Sequence, residues 1–326
     1  MRERITIGFA GCMVLIFLPY ILTLMISGLT GGAKQNESIA AVDTGRTVSI
    51  EHDGSYDVID VEAYLLGVLP GITDPECGLE VWKALAVMER TNIYRQMGGN
   101  TTVDEADLAE DYLTQEEIRS LWGERQYQRR LKEVEQAILA TIGQTMTYDG
   151  EYITAYYHRV SDGKTASAEE LTGQAVPYLV SVDSGHDVES KNYMNLILIP
   201  KDELPTMQNQ ASSSIQDQGT PGTEVSATAS EMGALSITQA TEHGYVQEVS
   251  VGGESMSADD FCRKYQIPSY HFYIEDLGDE QNAYRIVALG MGHGMGLSIY
   301  GAGVMSREGS DYLDILQHYF PGTQIS

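Results

Sequence analysis

Five glycines and one histidine fall within residues 290–301, in the run Gly290-Met-Gly-His-Gly-Met-Gly-Leu-Ser-Ile-Tyr-Gly301. Such a backbone passes where a Cβ would collide, and it holds one polar ring, His293, against whatever approaches. The spacing is not G-x-G-x-x-G, and no acidic residue follows about 20 positions later in a second strand and helix, which argues against a dinucleotide site. His158 is a second imidazole at a predicted strand end, with the loop 159–165 beyond it. Asp74 and Glu76 are carboxylates in a loop ahead of a predicted helix, where the helix dipole favours acids. There is no C-x-x-C and no H-E-x-x-H, so the spacing spells out no metal site and implies no cofactor.

The elements that must position these residues follow from periodicity. Residues 283–289 alternate as a strand and 299–308 read as a helix, which sets His293 at a strand end, where pockets form. Near the start, 47–51 and 56–59 read as a hairpin about Asp53-Gly54, followed by a short helix over 61–69 ended by Pro70. Leu79, Trp82, Ala86 and Ile93 mark one face of a longer helix. Thr114-Gln-Glu-Glu117 has the form of a capping box, and Leu131, Val134 and Ile138 continue a helical period toward Gly143. A second hairpin, 145–148 and 152–157 about Asp149-Gly150, ends at His158. Residues 201–234 are rich in Ser, Thr, Gln, Gly and Glu, a composition that cannot offset its ordering entropy, and read as a disordered insertion. A strand through 250, a glycine turn and a helix from about 257 complete the pattern. The fold class expected is α+β.

The chain has 326 residues, 42% of them hydrophobic, enough for one globular unit beside a membrane segment. Twenty Lys and Arg face 47 acids, a net charge of -27 that argues against a nucleic-acid partner. Arg2 and Arg4 precede an uncharged apolar run over 5–26, long enough to span a bilayer, so 1–28 reads as a single-pass membrane signal-anchor and 29–46 as a tether. A signal peptide cut near Gly31-Gly-Ala33 is the alternative, and either way the domain 47–326 lies on the extracytoplasmic face. Cys77 and Cys262 are then where a disulfide is chemically permitted, though sequence does not bring their Cα atoms together.

The glycine run, followed by Tyr312-Leu-Asp-Ile-Leu-Gln-His-Tyr-Phe-Pro-Gly-Thr323, resembles the C-terminal signature of the stage II sporulation protein D and amidase-enhancer family, whose members remodel peptidoglycan. The likeness recurs in the family's order at 61–70, 79–91, 155–165 and 261–272, and spans about 48–323. It implies a groove for peptidoglycan glycan strands lined by Arg90, Thr91, His158, His293, Ser298 and Tyr300. It also implies partners: a cell-wall amidase and endopeptidase at the membrane of a sporulating cell.

Two positions depart from the family's pattern. Active members resemble lytic transglycosylases, in which a glutamate protonates the glycosidic oxygen and then takes a proton from the hydroxyl that closes on C1. An ungapped alignment sets Ile72 at that glutamate's place, and Ile299 replaces a usual amide. The resemblance thus implies a glycan-binding or enhancing protein without the family's acid. The alternative is an active transglycosylase using Asp74 or Glu76. Some members carry a cysteine after the strand-end histidine; the loop 159–165 has none, which speaks against a zinc there.

Overall fold

The computed structural model describes residues 38–52, 54–73, 76–205 and 235–326. The apolar run 5–26, Asp74 and most of the expected insertion lie outside them. Among the described residues no helix is long and apolar enough to cross a membrane. The chain divides into two units, Met1–Asp43, whose described part holds the 3-10 turn Ile39–Ala41, and Thr44–Ser326.

The second unit opens with the expected hairpin, β1 (Thr47–His52) antiparallel to β2 (Ser55–Asp60). Asp60 then caps α1 (Val61–Ile72), its carboxylate accepting the Glu62 N–H at 2.9 Å. Pro70 does not end α1 but sits inside its last turn. Proline removes only one backbone donor there, and the continued turn buries Ile72 beside Val68 and Leu69.

The central element is α2 (Leu79–Met97), which packs against α1, α4 (Glu124–Ala140), α8 (Ile299–Arg307) and α9 (Tyr312–Tyr319). Trp82, Leu85, Met88 and Met97 are among its wholly buried side chains, and they form the floor of the helical half. β3 (Thr102–Asp104) lies parallel on β1. The capping box is formed at α3 (Gln115–Trp122): the Thr114 hydroxyl accepts from Glu117 N–H while the Glu117 carboxylate accepts from Thr114 N–H.

The second hairpin is shorter than its sequence pattern. β4 (Met146–Tyr148) pairs with β5 (Glu151–Tyr152), and the strand stops there. β6 (Tyr157–His158) instead runs parallel to β13 (Leu297–Ser298), which carries the chain into α8. The short helix α5 (Ala168–Thr172) and β7 (Met194–Pro200) follow. Lys201–Glu203 is a 3-10 turn and Leu204 is buried, so these first residues of the expected insertion belong to the fold.

A second core collects around antiparallel sheets. β8 (Leu235–Ala240), β9 (Val246–Val251) and β10 (Glu254–Ser257) form one; β11 (Phe272–Asp276), β12 (Ala283–Leu289) and β7 form the other. The stretch from 235 to 250 is therefore two strands and a turn. α6 (Ala258–Tyr265), capped by Ser257, drives Phe261 onto Phe272 with ring centroids 5.7 Å apart. α7 (Gly278–Gln281) joins β11 to β12, and β14 (Gln324–Ile325) returns to β4. Cys77 and Cys262 are not bonded to each other; burial pushes the Cys262 thiol up to about 12, and it donates to the Ser269 carbonyl at 3.6 Å. With helices gathered in one half and antiparallel sheets in the other, the class is α+β.

Candidate functional site

The glycine run turns back on the strand end it faces. Met291 bridges to Val160, and Met295 to Ala166. At Gly292, φ +106, an added Cβ would lie 2.8 Å from the Cβ of His158; at Gly296, φ +71, it would lie 2.0 Å from the Tyr156 carbonyl oxygen. Backbone cannot yield as a flexible side chain would, so a side chain here would force β6 and β13 apart. Gly296→Ala is expected to cost about 2 kcal/mol from the left-handed backbone alone. That corresponds to a thermal midpoint roughly 4–8 °C lower, and differential scanning calorimetry reads it; an unchanged midpoint contradicts the close approach.

The backbone of one residue orients both imidazoles. The Met295 N–H donates to His293 Nδ1 at 3.0 Å, and the Met295 carbonyl accepts from His158 Nδ1 at 3.0 Å. A carbonyl only accepts, so His158 carries its proton on Nδ1, and its buried Nε2 lone pair has no partner among the described residues. Burial, with the neighbouring His293 adding to it, holds His158 down to about 3, and it enters the fold neutral. The rings of His158 and His293 lie 6.1 Å apart, and Tyr156 meets His293 edge-on at 5.6 Å.

His293 and Tyr156 form one end of a cleft of about 510 Å³. Its other walls are α1, through Tyr64 and Val68, the C-terminal half of α2, through Glu89, Asn92 and Gln96, and the segment 107–110. Asn92 brackets the Ala155 backbone, donating to its carbonyl at 3.1 Å and accepting its N–H at 2.9 Å, and so fixes the floor beneath Tyr156. Tyr157 donates a short hydrogen bond to Glu110, and burial raises its phenol.

Glu89 stands apart from these pairings. It is 5% exposed and its Oε1 has no hydrogen-bond partner. Burial pushes its carboxyl up to about 8, the Glu110 charge adds to the push, and the Asn92 amide pulls against it. Sequence reasoning missed this residue, and the signal was there: Trp82, Ala86, Glu89 and Ile93 follow the same three-four spacing, so Glu89 occupies the core-facing stripe of α2.

Of the residues expected to line a groove, His293 lines the cleft and His158 packs directly behind it. Arg90 does not: it is wholly buried, donating to both oxygens of Glu62 at 2.7 and 2.5 Å and to the Gln144 carbonyl at 3.0 Å. A guanidinium so matched is a scaffold group. Thr91 is also wholly buried, donating to Val87 O at 2.6 Å and accepting from Met146 N–H at 2.9 Å. Ser298 is the buried N-cap of α8, accepting from Gly301 N–H at 3.2 Å. Tyr300 lies in the first turn of α8, its N–H donating to the Arg159 carbonyl, and does not line the cleft.

Ile72 is buried at the end of α1, and the Ile299 side chain is buried at the start of α8. Glu76 is 78% exposed along its side chain and pairs with Arg130 at 3.0 Å, so it lacks the dry surroundings that ready a carboxyl to donate. Glu80 accepts from Lys83 at 2.6 Å and from the Tyr312 N–H at 3.0 Å, tying α2 to α9. Among the described residues no three His, Cys, Asp or Glu side chains converge as a metal site would.

The comparisons agree with this frame. A family model described as Stage II sporulation protein matches residues 51–148. The chain is 27% identical over 344 residues to Stage II sporulation protein D of Bacillus amyloliquefaciens, covering 97% of this chain and 93% of that one. It is 28% identical over 302 residues to Stage II sporulation protein D of Bacillus subtilis (strain 168), with 90% and 82% covered. With the Amidase enhancer of Bacillus subtilis (strain 168) it shares 23% over 304 residues, covering 80% of this chain and 40% of the other.

Proposed function

We propose that the chain, a divergent relative of the stage II sporulation protein D family, is a sporulation-type protein of cell-wall processes and that its cleft binds peptidoglycan glycan strands. The observation that carries this reading is the pair Tyr156 and His293, a 39% exposed aromatic face beside an imidazole held by the Met295 N–H. A sugar ring stacks on such a face while a fixed N–H donor reads its hydroxyls. The residue that the resemblance sets at the place of the family's acid is Ile72, in the last turn of α1, so this binding does not call on that acid. The apolar run 5–26 and the arginines before it support a single-pass anchor with the cleft on the extracytoplasmic face. There a cell-wall amidase is the partner class that the name of the amidase-enhancer relative supports.

Retention on amidase-denuded sacculi tests the binding. The full-length chain is expected to co-sediment with them, and Tyr156→Ala to bind about tenfold more weakly, the loss of one stacking contact. A native chain that stays in the supernatant would overturn the reading.

A further inference from the structure

We propose that the open edge of β7 and the apolar face beside it dock an extended segment of a partner protein, one whose alternating apolar side chains add a strand to the sheet and whose leading basic residues meet the sheet's acidic end. None of the residues involved lines the cleft, so the inference goes beyond the glycan reading and does not depend on it.

β7 is the outermost strand of its sheet, with β12 on one side only. The Gly290 N–H donates to the Tyr193 carbonyl at 2.7 Å and the Lys201 N–H to the Asn282 carbonyl at 2.9 Å, so odd-numbered residues turn their backbone groups toward β12. The N–H and C=O of Met194, Leu196 and Leu198 point the other way, where no strand pairs with them among the described residues. Such an edge invites another chain, and proteins usually guard it with charge or with proline. β7 reads Met194-Asn-Leu-Ile-Leu-Ile-Pro200: it carries no charge, and its proline is the last residue.

The face beside this edge is apolar as well. The register aligns Leu196 with Val287 and Tyr273, and Met194 with Leu289, so these side chains share one side of the sheet. Met194, Leu196, Leu198 and Tyr273 are each more than half exposed. Tyr273 is held in place: its hydroxyl donates to His271 Nε2 at 3.1 Å, and His271 Nδ1 donates to the Asp162 carboxylate at 2.7 Å. A fixed aromatic ring among exposed aliphatic side chains is what anchors a protein contact.

Area and charge select the occupant. The patch is on the order of 500 Å², short of the roughly 800 Å² per partner that a stable pair of copies buries. Two copies would also each bring a net charge of -27. A single strand laid on the edge draws its affinity from main-chain hydrogen bonds and asks for less area. Beyond Pro200 the sheet ends in exposed acids, Asp202 and Glu203 in the 3-10 turn, Asp279 and Glu280 in α7. The two cations at that end are already met, Lys201 by Asp276 at 2.7 Å and Arg285 by Glu275 at 3.3 Å. A strand antiparallel to β7 therefore places its basic residues at its own N-terminal end.

The probe is a fluorescent synthetic peptide of two lysines followed by valine alternating with threonine, and anisotropy reads its binding to the native full-length chain. A Kd of roughly 1–100 μM is expected, weakened about tenfold or more by Leu196→Lys and by glutamates in place of the peptide's lysines. N-methylation of one alternate set of peptide amides is expected to abolish binding, and of the other set to change it less than about threefold, since only one set faces β7. No binding by the native chain overturns the proposal, and so does binding that tolerates Leu196→Lys or responds alike to both N-methylated sets. The peptide controls need no variant to fold. A dimer in sedimentation equilibrium that Leu196→Lys dissolves would assign the edge to a second copy and overturn the partner strand. Binding that appears only after residues 206–234 are replaced by a Gly and Ser linker would assign the edge to that segment, with the same result.

Discussion

Glu62→Ala is expected to destabilise the fold by about 3–5 kcal/mol, the cost of leaving one partner of a buried ion pair alone. Arg90 has no exposure and makes three hydrogen bonds, two of them to Glu62. With the carboxylate gone, the guanidinium keeps its charge, because its pKa lies far above any working pH, and it keeps its burial. The reverse change, Arg90→Met, leaves a carboxylate that protonates instead, so its cost is smaller at acid pH than at neutral. Replacing both, as Glu62→Leu with Arg90→Met, removes the charges together but strands the Gln144 carbonyl and the Gly143 N–H. A residual loss of about 1–3 kcal/mol is expected from those two groups. Urea midpoints of the three variants give the answer; a loss in the double variant equal to the sum of the two single losses would mean the pair is not coupled.

Glu89→Gln is expected to stabilise the protein at alkaline pH and to leave it nearly unchanged at pH 5. The folded-state pKa of about 8 lies above the ordinary 4.5, so the folded chain keeps a proton that the unfolded chain has already released. The contribution of this group is therefore full below about 4.5 and lost as pH rises through 8. Over that window the loss is on the order of 3–5 kcal/mol for a fully buried group. His158 works in the opposite sense. Its folded pKa of about 3 lies below the ordinary 6.5, so its contribution is present above 6.5 and lost as pH falls. The two slopes oppose each other between 4.5 and 6.5, which places the stability maximum there. Glu89→Gln removes only the alkaline slope. Urea midpoints of the native chain and the variant at pH 5 and pH 8.5 test this, and parallel profiles would show that Glu89 is not buried as a neutral acid.

The two expectations explain what the sequence made visible and what it hid. Local signals carried well. The capping box at Thr114, the hairpin about Gly54 and the strand, glycine and helix order around His293 all depend on neighbours within a few positions. Long-range pairing did not carry. Nothing local tells that Tyr157 and His158 leave their hairpin for Leu297 and Ser298, or that Thr102–Asp104 returns to β1. Arg90 shows the limit for sites: a charged residue in a motif reads as polar and exposed until its partner is known, and Glu62 lies 28 positions away. Glu89 shows the converse. Its place in the Trp82, Ala86, Ile93 stripe marks it as buried, but the spacing is silent on whether a partner meets it there. Ile72 falls at the end of α1 because Pro70 is taken into the last turn, which the residue type alone argues against.

The parallel pairing of β6 with β13 also has a consequence in time. His158 and Met295 are 137 positions apart, so the strand end that carries one imidazole and the wall that holds it are made at separate moments. At translation rates of about 5–20 residues per second, the interval is on the order of ten seconds. During it the chain holds α1, α2 and Glu89 but no glycine run, no clamped imidazole and no closed cleft. Such a nascent chain has one side of the cleft without the other. The C-terminal segment is the latch, and the cleft is whole only once that segment has threaded back onto strands laid down long before.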